Sequence, residues 1–464
     1  MGFSIGIDIG TANTRVAVFR NGRPEIIPDA DGRHSMPSYV AFTERCRLFG
    51  SAAKAQATSH PENTVYGVKR ILGQHLDQVQ VSRYTRASSN HPQENNGQIT
   101  ISVGYKKRSH HLSPVQVFAM LVARARANAE AYLGEPVYNA AISVPAYFNN
   151  SQREDVRDAV LLGGVNLLYM GTSIESIALY HAFINRQEGE RLTLFLDLGA
   201  SFFNAGLALI EEGIIEMVSC ASDNDLGTED FVDRLHKHFA AEIQRKWGWD
   251  IKDDLRAKRR LRVACEVAMR DLSSIASTEV YIDSLYDGQD FSGTITRIRL
   301  EELCHDLFRS TFQPIQRVLA DAKRDKSLVM DIVIVGGGSR IPKLQKMWSD
   351  YFGSKPLVKT VNPDEGEVLG SSIYADIFSG YVYSLRDLLV LPILPISIGF
   401  ETRRGMFKIV PRNKTCPTTK IESHSLYELN FGPSDRPTLR FYQGERVRVK
   451  DNLLIGTLDL AELP

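Results

Sequence analysis

The sequence predicts a two-lobed α/β protein followed by a small β unit, and three observations support that fold class. A segment of strands joined by tight turns begins near residue 5 and recurs, with the same plan, from residue 194. Helical periodicity fills much of the chain between and after the two copies. Beyond about residue 383 the pattern changes to short alternating segments separated by turns, which is typical of a small β unit.

Each copy of the repeat has the pattern of a β-meander. Asn21-Gly22, a strong hairpin signal, joins the second and third stretches of the first copy. In both copies an Asp precedes a Gly by two positions: Asp8 and Gly10 are followed 189 residues later by Asp197 and Gly199. The strand-like stretches are residues 5–9, 14–19 and 25–27 in the first copy and 194–198, 204–210 and 214–218 in the second.

A third glycine turn and several helices complete the predicted lobes. An apolar stretch at 331–335 runs into Gly336-Gly337-Gly338, where the backbone can approach a ligand closely and the following helix N-terminus favours an anion. A basic run within 251–270 is expected to form a solvated helix face. The other helices are predicted at residues 113–134, 228–247, 300–322 and 343–351.

The repeated Asp and Gly suit a nucleotide cleft between two lobes. Backbone N–H groups of each glycine turn can point at phosphate oxygens, while each Asp holds a magnesium ion directly or through water. Because each lobe supplies one hairpin, loss of the nucleotide would let the lobes rotate. The sequence has no G-x-G-x-x-G opening a helix after the first strand and no G-x-x-x-x-G-K-[ST], which argues against a dinucleotide-binding fold and a P-loop.

Composition narrows the classes of function. Lys plus Arg and Asp plus Glu both number 55, so no net charge favours nucleic acid or an anionic membrane as a partner. The five cysteines are far apart and odd in number, which indicates reduced thiols rather than a zinc or redox centre. No apolar run has the length of a transmembrane helix, and the N-terminus lacks the pattern of a signal peptide. The expected compartment is the cytoplasm, with the nucleus as a second one.

Eight segments, in order along essentially the whole chain, carry a resemblance to a known family. They are Gly6-Ile-Asp-Ile-Gly-Thr, Pro37-Ser-Tyr-Val-Ala-Phe, Asn63-Thr-Val-Tyr-Gly-Val-Lys-Arg, Val144-Pro-Ala-Tyr-Phe-Asn-Asn-Ser-Gln-Arg, Leu261-Arg-Val-Ala-Cys-Glu, Ile282-Asp-Ser-Leu-Tyr-Asp-Gly-Gln-Asp-Phe, Val335-Gly-Gly-Gly-Ser-Arg-Ile-Pro-Lys and Asn362-Pro-Asp-Glu. These segments resemble the heat-shock protein 70 family. The resemblance implies an actin-like ATPase fold, with duplicated ribonuclease-H-like lobes at about 1–188 and 189–383 forming a nucleotide-binding domain. It also implies an interdomain linker at 384–393 and a partial peptide-binding β-sandwich at 394–464.

The resemblance further implies a set of site residues, with ATP or ADP and Mg²⁺ as cofactors and K⁺ as an optional further ion. Lys69, Asp8, Thr11 and Asp197 would take part in hydrolysis, and the two aspartates would hold the metal. The residues expected to contact the nucleotide are Gly10, Thr11, Ala12 and Asn13 in the first turn, Gly199, Ala200 and Ser201 in the second, and Glu266, Arg270, Ser273, Gly337, Ser339, Arg340 and Asp364 around the adenosine.

Departures from the family pattern cluster where the phosphates would lie. The family pattern at the second turn is D-L-G-G-G-T-F-D. In this chain Ala200 and Ser201 replace two of the glycines, Phe202 replaces the hydroxyl residue, and Asn204 replaces the Asp near the metal. Gly171 stands where the family has a glutamate that orders metal and water. Replacing the glycines is expected to cost about 1–3 kcal/mol if strained φ/ψ is required, and each lost charge-assisted hydrogen bond about 1.5–3 kcal/mol. Slow or absent hydrolysis with retained binding is therefore expected.

Three functions remain open at this point. The leading hypothesis is an ATP-binding chaperone of proteostasis and the stress response, with J-domain co-chaperones and nucleotide-exchange factors as partners; Pro145 and Arg153 match positions that relay nucleotide state towards the linker. Half a sandwich leaves an incomplete groove, so autonomous clamping of unfolded or nascent polypeptides is not expected. A non-enzymatic scaffold or regulatory co-chaperone is the alternative, and a sugar kinase or filament-forming relative is the third. Lys69 and Asp197 favour an enzyme, whereas Phe202 favours a scaffold.

Overall fold

A computed structural model gives the positions of most of the chain. It describes residues 3–76, 81, 83–84, 88, 90, 92–95, 97–186, 188–251, 254–380, 385, 387–425, 428–429 and 438–459. The strands are β1 (Ser4–Ile9), β2 (Asn13–Arg20), β3 (Arg23–Ile27), β4 (Met36–Pro37), β5 (Tyr39–Phe42), β6 (Arg47–Phe49), β7 (Thr64–Tyr66), β8 (Gln93–Asn95), β9 (Gln98–Tyr105), β10 (Arg108–Leu112), β11 (Asn139–Val144), β12 (Asn166–Thr172), β13 (Arg191–Leu198), β14 (Phe203–Glu211), β15 (Ile214–Asp223), β16 (Ser277–Tyr286), β17 (Gln289–Thr296), β18 (Asp331–Val335), β19 (Leu389–Leu391), β20 (Ile398–Thr402), β21 (Gly405–Val410), β22 (Thr438–Gln443) and β23 (Leu453–Asp459). The helices are α1 (Gly50–Gln56), α2 (Pro114–Leu133), α3 (Asn150–Leu162), α4 (Ser173–Ile184), α5 (Thr228–Trp247), α6 (Leu255–Asp271), α7 (Arg297–Leu303), α8 (His305–Ser310), α9 (Phe312–Asp321), α10 (Pro342–Tyr351) and α11 (Gly366–Ser379).

Two large mixed sheets share one plan. The first has the strand order β12-β11-β1-β2-β3, with β4 added on β2, and the second has the order β18-β13-β14-β15-β19. In each sheet a three-stranded antiparallel meander continues into a parallel strand, β11 beside β1 and β18 beside β13. This arrangement is the two-lobed α/β fold that the sequence predicts.

Hydrogen bonds in the two meanders confirm the predicted repeat. The N–H of Gly10 donates to the carbonyl of Asn13 at 2.9 Å, and the N–H of Gly199 donates to the carbonyl of Phe202 at the same distance. Asn21 has φ of 54° at the next turn of the first copy, the left-handed conformation that an Asn-Gly hairpin requires. The two copies therefore present turns of the same geometry.

Helices α4 and α11 form the layer between the two sheets. Helix α11 packs on β1, β2 and β11 of the first sheet and on α4, which in turn packs on β13, β14 and β15 of the second. Glycines allow this close approach: a Cβ on Gly370 would lie 1.8 Å from the Ser176 carbonyl oxygen, and one on Gly6 would lie 2.2 Å from the Ser372 nitrogen. The buried core runs through this layer and ties the sheets together.

Two of the predicted long helices form as expected and one does not. Ser113 caps α2 with a capping box, Pro114 is its first residue, and Gly134 ends it; α5 also has the predicted bounds. The stretch 300–322 is instead divided into α7, α8 and α9. Pro314 has no N–H to donate, and the Thr311 hydroxyl donates to the Phe308 carbonyl at 2.7 Å, so the chain turns there rather than continuing one helix.

The segment predicted as a linker is partly a strand. Residues 389–391 form β19, which pairs in parallel with β15 at the edge of the second sheet. The predicted boundary at 383–384 and residue 386 lie outside the described residues. Beyond it, β20 to β23 form a four-stranded antiparallel sheet in the order β21-β20-β22-β23, which is the predicted small β unit.

Candidate nucleotide-binding cleft

A cleft of about 410 Å³ lies between the turns that follow β1 and β13. The predicted site residues on its wall are Asp8, Gly10, Thr11, Ala12, Asn13, Lys69, Asp197, Gly199, Ala200, Ser201, Arg270, Ser273, Gly337, Arg340 and Asp364. These residues come from the two meanders, the turn before residue 70, the end of α6, the turn after β18 and the loop before α11. The fold thus brings together residues that are up to 356 positions apart in the chain.

The remaining two predicted residues lie beside the cleft rather than on its wall. Glu266 does not line the cleft, and it forms a 3.0 Å ion pair with Lys54. Ser339 is fully buried, and its hydroxyl donates to the Gly336 carbonyl at 2.8 Å, so it shapes the glycine turn from behind.

Asp8 and Asp197 are buried carboxyls that face the same cleft. Burial raises the pKa of both, and the nearby Glu367 carboxylate acts in the same direction. The Asn204 amide donates to Asp197 Oδ2 at 2.9 Å, and the Ser222 hydroxyl fixes that amide by donating to its oxygen at 2.7 Å. Asn204 therefore holds Asp197 in place without adding a second negative charge beside it.

Lys69 and Thr11 provide donors that the described protein does not use. Lys69 is 5% exposed, lies in a 3-10 turn entered through Gly67 with φ of 70°, and forms no ion pair with a described carboxylate. The Thr11 hydroxyl is also buried and has no hydrogen-bond partner among the described groups. An unsatisfied buried polar group is costly, so the Thr11 hydroxyl indicates a polar ligand in the cleft. Lys69 lines the same cleft, where its positive charge acts to lower the pKa of Asp8 and Asp197 against the larger effect of burial.

The second turn keeps its shape without the glycines of the family pattern. Ala200 and Ser201 do not have positive φ, so the strain considered for these replacements is absent. The carbonyls of Gly199 and Ala200 accept the N–H groups of Thr228 and Glu229 at 3.0 and 2.8 Å. The turn is thereby fixed to the N-terminus of α5.

Phe202 forms an apolar part of the cleft wall. Its side chain is 7% exposed, its ring centroid lies 5.1 Å from that of Tyr147, and the Arg70 guanidinium lies 5.6 Å from the ring. The ring is therefore packed into the wall next to the turn that carries Lys69. A phenyl ring offers neither a hydrogen bond nor a metal ligand at this point.

A carboxylate that the sequence does not reveal enters the cleft from α11. Gly171, where the family pattern has a glutamate, does not line the cleft, and a Cβ there would lie 2.8 Å from the Tyr169 ring. Glu367 does line it, and its Oε1 accepts a hydrogen bond from the Ser173 hydroxyl at 2.6 Å. The two positions are far apart in sequence, so only the folded chain shows that Glu367 brings a third carboxylate to this end of the cleft.

Arg15 is a second cleft residue absent from the predicted set. It pairs with Asp8 across β1 and β2, and its guanidinium contacts Asp8 at 3.4 Å and Asp364 at 3.3 Å. The β1–β2 hairpin register could have predicted this position of Arg15, because residues paired across two strands point to the same face of the sheet.

Two arginines of α6 are buried, which contradicts the expected solvated face. Arg259 and Arg262 are each 6% exposed. Arg259 donates to the Tyr39 hydroxyl in the first half of the molecule, and Lys54 reaches Glu266 of α6 nearby. The basic run therefore includes contacts between the two halves.

The donor set fits a nucleotide with a shared cation. In the part of the chain that the structure describes, no group of three or more His, Cys, Asp or Glu side chains is arranged to hold a metal ion by itself. Asp8 and Asp197 offer the carboxylate oxygens that Mg²⁺ prefers, and Mg²⁺ is commonly held by one or two carboxylates together with substrate phosphates. The Thr11 hydroxyl and the Lys69 ammonium, which the described carboxylates leave available, are suited to phosphate oxygens.

Comparisons with known proteins show the family to which the chain belongs. A family model described as "Hsp70 protein" matches residues 4–464. A "Heat shock 70 kDa protein" of Neurospora crassa is 44% identical over 464 residues, covering 99% of this chain and 71% of that protein. A ribosome-associated molecular chaperone of Saccharomyces cerevisiae is 40% identical over 467 residues, covering 99% of this chain and 75% of that protein. Among the described helices, none combines the length and hydropathy needed to span a bilayer. The chain belongs to the Hsp70 family of ATP-dependent chaperones.

Proposed function

We propose that this Hsp70 protein binds ATP and ADP with Mg²⁺ in the cleft and hydrolyses ATP slowly, so that the nucleotide acts mainly as a conformational ligand. The observation that carries the proposal is the composition of one wall. Asp8, Asp197 and Lys69 are in place for binding, while Phe202 and Asn204 stand beside them at the reacting end.

The proposed contacts divide the cleft into two ends. The turns at 10–13 and 199–201 would direct their N–H groups to the phosphates, with Asp8 and Asp197 holding the cation and K⁺ as a further ion. The adenosine end would consist of Arg270, Ser273, Gly337, Arg340 and Asp364, supported from behind by Glu266 and Ser339. Most of these side chains already line the cleft, so binding requires little rearrangement.

Slow hydrolysis follows from what the reacting end lacks. Asn204 carries no charge, and Phe202 provides no hydroxyl to orient water or a phosphate oxygen. Each lost charge-assisted hydrogen bond costs about 1.5–3 kcal/mol, and every 1.36 kcal/mol in the barrier is about tenfold in rate. Glu367 and Lys69 retain a carboxylate and an ammonium there, which supports slow turnover rather than none.

The proposed domain organisation follows the expected boundaries, with a nucleotide-binding domain at 1–383, a linker at 384–393 and a β domain from 394. Pro145 on the cleft wall and the partly buried Arg153, which donates to the Phe148 carbonyl at 3.1 Å, are proposed to relay nucleotide state to the β domain. Hsp70 proteins generally work with polypeptides and co-chaperones. J-domain proteins and nucleotide-exchange factors are the proposed partners here, and the cytoplasm is the proposed compartment.

A non-enzymatic scaffold is the second candidate, favoured by the packing of Phe202 into the wall. One relative is named as ribosome-associated, and a similar docking role is the form that the scaffold would take. The two candidates differ in whether nucleotide turnover occurs at all.

Calorimetric titration of ATP and ADP into nucleotide-stripped protein with Mg²⁺ tests the binding proposal. We expect both nucleotides to bind, and Asp197→Asn to weaken binding by about tenfold, because one charged ligand of the shared cation is lost. Asp290→Asn, in the exposed β16–β17 hairpin, is the matched control and should bind as wild type does. Absence of binding by the wild-type chain contradicts the proposal.

A further inference from the structure

Arg15 places a permanent positive charge inside the cleft. It lies on β2 directly opposite Asp8, and its side chain is 13% exposed. The guanidinium spans the space from Asp8, at the end expected for the phosphates, to Asp364, at the end expected for the adenosine. Asp364 is held from its other side by Arg340 at 2.7 Å.

The contacts of the Arg15 guanidinium are long, and some of its N–H groups have no partner among the described residues. Its contacts of 3.4 Å to Asp8 and 3.3 Å to Asp364 are long beside the usual 2.7–2.9 Å, roughly, of charge-assisted N–H···O bonds. Each terminal nitrogen has a second N–H. Arg15 Nε is buried and has no hydrogen-bond partner among the described groups. The side chain can therefore change partners at low cost.

The charges at the phosphate end of the cleft indicate a role for Arg15. Asp8, Asp197 and Glu367 put three carboxylates at the phosphate end, against the two cations Lys69 and Arg15. A polyphosphate is repelled from such a wall unless positive charge accompanies it, and a divalent metal normally supplies that charge. Arginine is suited to the same task because its planar fork matches phosphate oxygens.

We propose that Arg15 binds the phosphate chain directly and supplies part of the charge otherwise provided by Mg²⁺, so that nucleotide binding persists when the metal is removed. The inference rests on the proposed function, because it takes the cleft to be the nucleotide site. Arg15 would exchange its long contacts with the carboxylates for shorter bonds to phosphate oxygens. The metal would then improve binding without being required for it.

Calorimetric titration of ADP with Mg²⁺ and with excess EDTA tests the role of Arg15. We expect wild-type affinity to fall by about tenfold or less in EDTA. Arg15→Met keeps the aliphatic length and loses the charge, so its affinity should fall at least about tenfold further in EDTA. With Mg²⁺, the affinity of Arg15→Met should fall less than it does in EDTA, because the metal supplies charge that the variant lacks. Thermal unfolding of Arg15→Met beside wild type shows whether the variant is folded.

Two further variants separate the charge of Arg15 from the planar shape of its guanidinium, and both from the effect of replacing any arginine on the strand. Arg15→Lys keeps the charge without the fork and should lie between wild type and Arg15→Met in EDTA. Arg20→Ala is the matched control: Arg20 lies on the same strand, contacts Glu25 and Tyr132 outside the cleft, and should bind as wild type does.

The outcomes separate this inference from the proposed function. Binding by wild type with Mg²⁺ but none in EDTA overturns the role of Arg15 and leaves the proposed function standing. Equal affinities of Arg15→Met and wild type in EDTA overturn it as well. Absence of binding with Mg²⁺ contradicts the proposed function itself, and the role of Arg15 with it.

Discussion

Phe202 is the side chain on which the proposed slow hydrolysis most depends. The Phe202 ring is packed against Tyr147 and below Arg70 in the cleft wall. Lys69 next to this wall keeps its ammonium available. The proposed slow hydrolysis depends on the hydroxyl that Phe202 lacks as well as on the charge that Asn204 lacks.

Replacing Phe202 with Thr should increase single-turnover hydrolysis by about tenfold, because one hydrogen bond to the reacting groups returns. Phe202→Val is the matched control, since Val has the shape of Thr without the hydroxyl and leaves a similar cavity. A rate increase in both variants would mean that ring removal matters and the hydroxyl does not.

Polar contacts attach the C-terminal sheet to the larger body. Asp321 at the end of α9 accepts hydrogen bonds from Arg412 at 2.6 Å and Asn413 at 3.2 Å. The Gln443 side chain accepts the N–H of Asn150 at 2.7 Å, and β19 lies along β15. Together these contacts hold the C-terminal sheet against the larger body.

Asp321→Ala should loosen this attachment, because two partly buried donors lose their acceptor. We expect amide exchange at residues 389–391 to rise about fivefold or more, equivalent to about 1 kcal/mol. Hydrogen-exchange mass spectrometry measures the effect, with Glu302→Ala in an exposed ion pair as the control. Unchanged exchange at these residues would show that β19 holds independently of the Asp321 contacts.

His181 on α4 makes stability depend on pH. The ring is buried and packs edge-on to Phe195, and burial lowers its pKa to about 4. A histidine in the unfolded chain takes up its proton near pH 6.5, roughly. Between that pH and about 4, the unfolded state binds a proton that the folded state does not, so the free energy of unfolding decreases as the pH is lowered.

Comparing wild type with His181→Gln isolates this contribution. In urea unfolding, the stability advantage of wild type should shrink by about 1.4 kcal/mol per pH unit as the pH falls from about 6.5 to 4. Other titrating groups cancel in the difference. A difference that stays constant over this range would mean that His181 is protonated in the folded chain as readily as in the unfolded one.

At the scale of the whole molecule, two related sheets are joined by α4 and α11. Residues that follow strands of both sheets line the cleft. The paired turns at Gly10 and Gly199 could be predicted because hairpins are local and a turn signal such as Asn21-Gly22 is strong. The positions of Glu367 and β19 could not, because they depend on long-range packing. Buried Arg259 illustrates the same limit: a basic run usually marks a solvated face, and only the neighbouring Tyr39 reveals otherwise.

Slow hydrolysis after secure binding is the central claim, and single-turnover hydrolysis on a nucleotide-stripped preparation tests it most directly. A complex of the full chain with Mg²⁺ and ATP is isolated, and conversion to ADP is followed with and without a J-domain protein. We expect ATP to stay bound and to be converted very slowly, with little stimulation. Rapid conversion, or strong stimulation by the J-domain protein, would contradict this claim and would mean that Phe202 and Asn204 do not limit the reaction.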